Sequence, residues 1–200
     1  MPQIRIILLL SQSISVPTYM NTYVILLRGV MPTGRNKVPM APLRTALAGA
    51  GLSDVRTYIQ SGNVIAASAL HHAELEHLVH AVIATEFGGD IAVMARTAAE
   101  FRRVLERNPF TDADTSRLYF TLLGSLPEAA RRAEFASTDW SPENVRVTDD
   151  AIYTLYATRY SDSKLNNSTI ERRLRVKATT RNFNTTSRLV ELSSAGEQDR

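Results

Sequence analysis

Four clusters of polar residues in this 200-residue chain have the types and spacing to do chemistry. The first is a loop holding Arg28, Gly34, Arg35, Asn36 and Lys37, just ahead of Pro39. Free backbone N–H groups and the dipole at a helix start attract anions, so this loop can cradle a phosphate. It matches neither the P-loop nor the dinucleotide fingerprint, and a solvated connection is the competing reading. The second is Gln60-Ser61-Gly62-Asn63, whose two amides can grip a ligand. Ser-Gly-Asn is also good turn chemistry, but a turn has no need of Gln60. The third is Thr179-Thr180-Arg181-Asn182 with Asn184. A helix cap accounts for Asn184. Arg181 is left to bridge within the fold or to receive an anion. The fourth is Lys164, Asn167 and Glu171, spaced i, i+3 and i+7 on one helix face, which a solvated face also explains.

Other chemistries fall away. The chain has no cysteine, which excludes disulfides, thiolate catalysis and cysteine-ligated metal. All four histidines lie between His71 and His80, with no partner ligand on another element, so no metal is expected. Gly-x-Ser-x-Gly is absent and no histidine lies elsewhere, which argues against a Ser-His-Asp site. No cofactor is expected, and no stretch reads as a membrane anchor. Net charge is only +3. Its distribution is uneven, because Arg159 to Arg188 carries Arg159, Lys164, Arg172, Arg173, Arg175, Lys177, Arg181 and Arg188 against Asp162 and Glu171.

The elements that must position these clusters follow from changes of hydrophobic period. Thr22 to Leu27 is a nearly continuous apolar run, as in a strand buried on both faces. A helix from Pro39 buries Leu43 and Leu47. Strands at Asp54–Ile59 and Asn63–Ala67 flank a Ser61-Gly62 turn in which Gly62 or Asn63 takes positive φ. A helix over His72–Phe87 stops at Gly88, and Asp90–Ala95 is a fourth strand. Thr97, with Glu100 three residues on, caps a helix that runs to about Arg107. The order then repeats. Strands fall at Leu118–Leu123, Val145–Val147, Ile152–Ala157 and Lys177–Thr180, with helices at Pro127–Ala136 and Ser163–Leu174. Asp162 or Ser163 caps the latter, and Asn184 caps a last helix that buries Leu189, Val190 and Leu192.

The expected fold is therefore α+β, with two tandem ferredoxin-like (βαββαβ) units and mostly antiparallel sheets. Residues 20–96 form the first unit and 97–110 a connecting helix. Residues 111–192 form the second unit plus a C-terminal helix, and 193–200 a frayed tail. Residues 1–19 read as an extension before a true start at Met20. No residue-level repeat accompanies the shared topology. The loop after the first strand and the Gln60–Asn63 hairpin are expected at opposite sheet ends, about 15–17 Å apart. A joint site then needs the second unit to bring Arg181 and Asn182 to the hairpin, across an inter-domain cleft.

Three segments resemble one known family. They are Tyr23-Val24-Ile25-Leu26-Leu27-Arg28-Gly29 with Asn36-Lys37-Val38-Pro39-Met40; Val55 to Val64 around Tyr58-Ile59-Gln60-Ser61-Gly62-Asn63; and Ser163-Lys164-Leu165 with Lys177 to Thr185. Together they resemble the domain of unknown function 1697 family, over roughly Met20 to Leu192. Departures are Val30-Met31-Pro32-Thr33-Gly34 where many members carry a glycine pair, and Phe183 where tryptophan is frequent. The resemblance implies paired ferredoxin-like domains and brings no reaction, substrate or catalytic residue.

The expected function is binding of a small phosphate- or nucleotide-like anion in a basic inter-domain cleft. The candidates are Arg28, Asn36, Lys37, Gln60, Ser61, Asn63, Lys164, Arg181 and Asn182. The alternatives are an enzyme acting on a phosphorylated or nucleotide-like substrate, with Glu171 or Asp162 as base, and a nucleic-acid-binding module. Nucleic acid is disfavoured because Tyr23 and Tyr58 are isolated aromatics. A cytoplasmic location is expected, and the oligomeric state is left open.

Overall fold

Strand β1 (Asn21–Leu27) is the apolar run read from the sequence, and it sits in the middle of a four-stranded sheet. The computed structural model describes residues 19–31, 33–34 and 36–195, so the expected extension lies outside the described residues except for Tyr19. After β1 come α1 (Met40–Gly49), β2 (Ser53–Thr57), β3 (Asn63–Ser68), α2 (His72–Phe87) and β4 (Val93–Thr97). The sheet order is β2-β3-β1-β4, with every neighbouring pair antiparallel. Helix α3 (Ala98–Glu106) leads to β5 (Leu118–Leu123), α4 (Ala129–Ser137), β6 (Asn144–Val147), β7 (Ile152–Leu155), α5 (Asn167–Leu174) and β8 (Ala178–Asn182). This second sheet has the corresponding order, β6-β7-β5-β8, again antiparallel throughout. Helix α6 (Phe183–Ser194) ends the described chain. The protein is thus mixed α/β, with two four-stranded antiparallel sheets and six α-helices among the described residues.

Alternation along the central strands divides the interior into three layers. Tyr23, Ile25 and Leu27 face α1 and α2 and join Leu43, Leu47, Val79 and Ile83. The alternate residues Val24 and Leu26 face the other way and meet Leu118, Phe120 and Leu122 of β5. Phe101 and Val104 of α3 and Leu189 of α6 complete that shared core. A third layer packs Ile152 and Ala178 against Phe135, Ile170 and Leu174, with Trp140 at its margin. Burial of each such side chain contributes about 1.5–3 kcal/mol, so the shared core alone binds the sheets firmly. No helix among the described residues is long and apolar enough to cross a membrane.

The local chemistry follows the residues. Thr97 Oγ1 accepts from the Glu100 N–H while Glu100 reaches back to the Thr97 N–H, and Gly88 closes α2 in the left-handed region. Several boundaries differ from the sequence reading. Helix α5 starts at Asn167, not Ser163, because the Asn166 side chain accepts from the Thr169 N–H and 160–162 forms a separate 3-10 turn. Lys164 is therefore not on a helix face with Asn167 and Glu171. The cap of α6 is Asn182, not Asn184, and β8 accordingly runs on to Asn182. Ser193 is buried within α6 and bonds Val190, so the helix continues past the expected start of the tail.

The expected separation of the β1 exit from the hairpin is also corrected. Antiparallel pairing of β1 with β3 sets Leu26 opposite Asn63, and the Leu27 N–H bonds the Gly62 carbonyl at 2.8 Å. Both loops lie at one end of the sheet. Gly62, at φ +77°, is pressed so closely that a Cβ there would lie 2.7 Å from Val30 Cγ2 and 2.8 Å from Leu27 Cβ. Gly62→Ala adds left-handed strain and a clash, and should lower unfolding free energy by about 2–4 kcal/mol in urea titration. An unchanged midpoint would show that the corner is not this tight.

Candidate functional site

Arg181 lies on β8 opposite Phe120, so its side chain projects from the face that meets the first sheet. There it reaches the Gln60–Asn63 hairpin, the juxtaposition the sequence reading favoured. Its Nε donates to Asn63 Oδ1 at 2.5 Å. One terminal nitrogen donates to Thr179 Oγ1 (2.8 Å) and the Thr180 carbonyl (2.9 Å). The other donates to the carbonyls of Leu27 (3.1 Å), Ser61 (3.1 Å) and Gly62 (3.2 Å). Six neutral oxygens surround five N–H donors, and no carboxylate is among them. The residue keeps some solvent contact along its length. Desolvation nevertheless pushes its pKa down to about 10, which leaves it charged at neutral pH.

The other candidates are engaged in the same manner. Arg28 forms a two-pronged ion pair with Glu171 of the opposite half, Nε–Oε1 2.7 Å and Nη2–Oε2 2.8 Å. Burial would raise the Glu171 carboxyl, but Arg28 and the Ala178 N–H outweigh it and hold the carboxyl below its usual range. Gln60 Nε2 donates to the Val38 carbonyl at 3.0 Å and ties the hairpin to the β1–α1 loop. Buried Asn63 also donates to Ser61 Oγ (3.0 Å) and to the Tyr58 carbonyl (3.1 Å). Asn182 is the α6 cap, and Asn36 makes a long 3.5 Å contact with the Gly29 carbonyl. Lys37 is exposed, and Lys164 lines a cleft elsewhere. The structure thus brings Arg28, Gln60, Ser61, Asn63, Arg181 and Asn182 to the seam and leaves Lys164 outside it.

Two larger clefts flank the 157–163 segment in the second half. One, of 690 Å³, is lined by Arg117, Tyr119, Arg159, Tyr160 and the hydroxyls of Ser116 and Ser161. Tyr119 and Tyr160 stack at 5.1 Å, within 14° of parallel. Arg117 is anchored on the Ala157 carbonyl. Arg159 is exposed, and its guanidinium has no partner among the described residues. The neighbouring cleft, of 520 Å³, holds Trp140, Lys164 and Arg172 and shares Thr158 and Asp162 with the first. The sequence marks Arg159 only as part of a basic run and does not mark Tyr160, because the segment after β7 is irregular and has no period to read; Tyr119 reads simply as a residue of the β5 strand. His80 meets Asp90 at 3.0 Å, and no group of metal-ligating side chains is found among the described residues.

A model of the family described as Protein of unknown function (DUF1697) matches residues 20–153. The chain belongs to this family. The matched DUF1697 segment contains the hairpin that receives Arg181 but ends before Arg181 itself. Among solved structures, the conserved bacterial protein SP0830 from Streptococcus pneumoniae is similar at 25% identity and a TM-score of 0.72. That likeness covers 88% of this chain and 99% of SP0830. A search of curated proteins gives no significant match.

Arg181→Lys offers three donors from one point where six oxygens are arrayed, so it should cost about 2–4 kcal/mol in urea unfolding. Stability equal to the parent would contradict the network. Glu171 is lowered from 4.5 in the folded state, so the unfolded chain takes up the proton first. Its contribution is present at neutral pH and is lost as pH falls below about 4.5 and through the folded value. Glu171→Gln should therefore flatten the acid limb of a stability–pH profile.

Proposed function

We propose that this DUF1697 protein consists of two ferredoxin-like units, residues 20–96 and 111–192, bridged by the helix within 97–110. We further propose that it binds a small phosphate- or nucleotide-like anion. Matching strand orders and registers support the first part. Arg181 at the hairpin is spent on protein oxygens and Arg28 on Glu171, so this anion is received beside the hairpin seam rather than in it. The observation that carries this reading is the Arg159 guanidinium, without a partner among the described residues, in the 690 Å³ cleft next to anchored Arg117 and the stacked Tyr119–Tyr160 pair. A guanidinium suits bidentate recognition of phosphate, and an aromatic face suits a planar base. Lys164 and Arg172 stand in the adjoining cleft, beside Asp139, Glu143 and Asp162.

The binding reading is preferred to an enzyme because Asp162, the carboxylate shared by both clefts, is exposed and accepts a hydrogen bond from Ser161. A cytoplasmic location belongs to the same proposal.

Isothermal titration with ATP at low and high salt tests it. Binding should weaken with salt and fall at least tenfold in Arg159→Ala, the loss of one charge-assisted contact. ATP that fails to bind, or that binds Arg159→Ala as tightly as the parent, would overturn the reading. ATP hydrolysis that stops in Asp162→Asn would make it an enzyme.

A further inference from the structure

The two sheets share a register as well as a strand order. In the first, Tyr23 to Leu27 face Thr97 to Val93; in the second, Tyr119 to Leu123 face Asn182 to Ala178. Arg96 opposite Val24 is therefore the counterpart of Arg181 opposite Phe120. The correspondence extends to the hydrogen bonds. Arg181 donates to the carbonyl before it, Thr180, and across the seam to Leu27, the last residue of β1. Arg96 donates to the carbonyl before it, Ala95 (2.7 Å), and across the seam to Leu123 (2.6 Å), the last residue of β5. Each half thus extends an arginine to the end of the other's central strand.

The rest of the socket is not repeated. At Arg181 the remaining donors are met by Asn63 Oδ1 and the hairpin carbonyls. Pairing of β1 with β3 continues to Leu26–Asn63, whereas β5 with β7 stops at Thr121–Ile152. One step further along that ladder brings Ala151 to the place that Asn63 holds, and alanine has no side-chain acceptor. A 160 Å³ cavity stands there, lined by Arg96, Leu123, Arg132, Thr148, Asp150 and Ala151 among others. The acids around it are already matched, Asp149 by Arg132 at 2.6 Å and Asp150 by Arg107 at 2.9 Å. Glu76 forms a loose ion pair with Arg96 Nη1 at 4.0 Å, beyond hydrogen-bond reach, while its Oε1 accepts from the Ala95 N–H at 2.7 Å. The Arg96 Nε–H has no hydrogen-bond partner among the described residues.

We propose that the Arg96 socket binds a small oxyanion, a carboxylate or a phosphate, whose oxygens stand where the Asn63 amide and the hairpin carbonyls stand around Arg181. At about 30 Å³ per water the cavity has room for roughly five, so the ligand has about four to six heavy atoms. The site is independent of the larger cleft beside Arg159.

Thermal unfolding of the full chain carrying Arg159→Ala, which silences the larger cleft, provides the test. Inorganic phosphate and acetate are compared with chloride at matched ionic strength. One of the two anions should raise Tm in a saturable manner, and which one does so identifies the ligand class. Ala151→Asn, which supplies the missing acceptor, should raise the anion-free Tm and abolish the response. Arg96→Met should also abolish it. No anion-specific rise, a rise that survives Ala151→Asn, or an anion-free Tm lowered by that substitution would each overturn the proposal.

Discussion

A guanidinium has five donors and no acceptor, so it leaves water at tolerable cost only where oxygens stand ready on all sides. Arg181 finds them from three pieces of chain at once: the end of β1, the β2–β3 hairpin and its own strand. None of these supplies the full set alone. The arrangement makes local structure conditional on tertiary structure. Ile59 illustrates this, since it is β-branched yet holds φ +50° at the hairpin. Such a conformation costs about 1–2 kcal/mol and persists because the surrounding bonds, Asn63 to Tyr58 and Gln60 to Val38 among them, fix the turn.

Positive charge in this chain accordingly does two kinds of work. Arg28 and Arg181 cross the seam and end on protein oxygens. Arg159 and Lys164 belong to the irregular segment after β7 and line open clefts. A basic run in a sequence does not distinguish these roles, because both use the same residue type. The difference is whether acceptors, including main-chain carbonyls contributed by any residue, converge on the head group.

That convergence explains what could and could not be read from the residues. Strand and helix order was legible because β1, β5 and α2 carry strong apolar patterns, and because Thr97 and Gly88 are unambiguous in their caps. The meeting of Arg181 with the hairpin follows the expectation that the second unit brings this residue across a seam between the units, although the residue type alone leaves its partner open. The Leu27 and Leu123 carbonyls were invisible, as backbone oxygens have no compositional mark. The start of α5 was misplaced because Asp162, Ser163 and Asn166 are all competent caps, and the 3-10 turn at 160–162 decides among them. Antiparallel pairing of β1 with β3 obliges the two loops to share an end. The shared register of the two sheets has no clear mark in the residues and emerges only once the partner strands align Arg96 with Arg181.

Trp140 is the chain's single tryptophan, and it packs at the outer margin of the second half on Phe135, 4.6 Å away, with Arg173 above its ring. Its indole emission is therefore a one-sided reporter. It registers melting of the α4 layer and is blind to loosening between Asn63 and Arg181, on the opposite face of the second sheet. Optical and hydrogen-exchange measurements on this protein would diverge whenever the seam opens before that outer layer does.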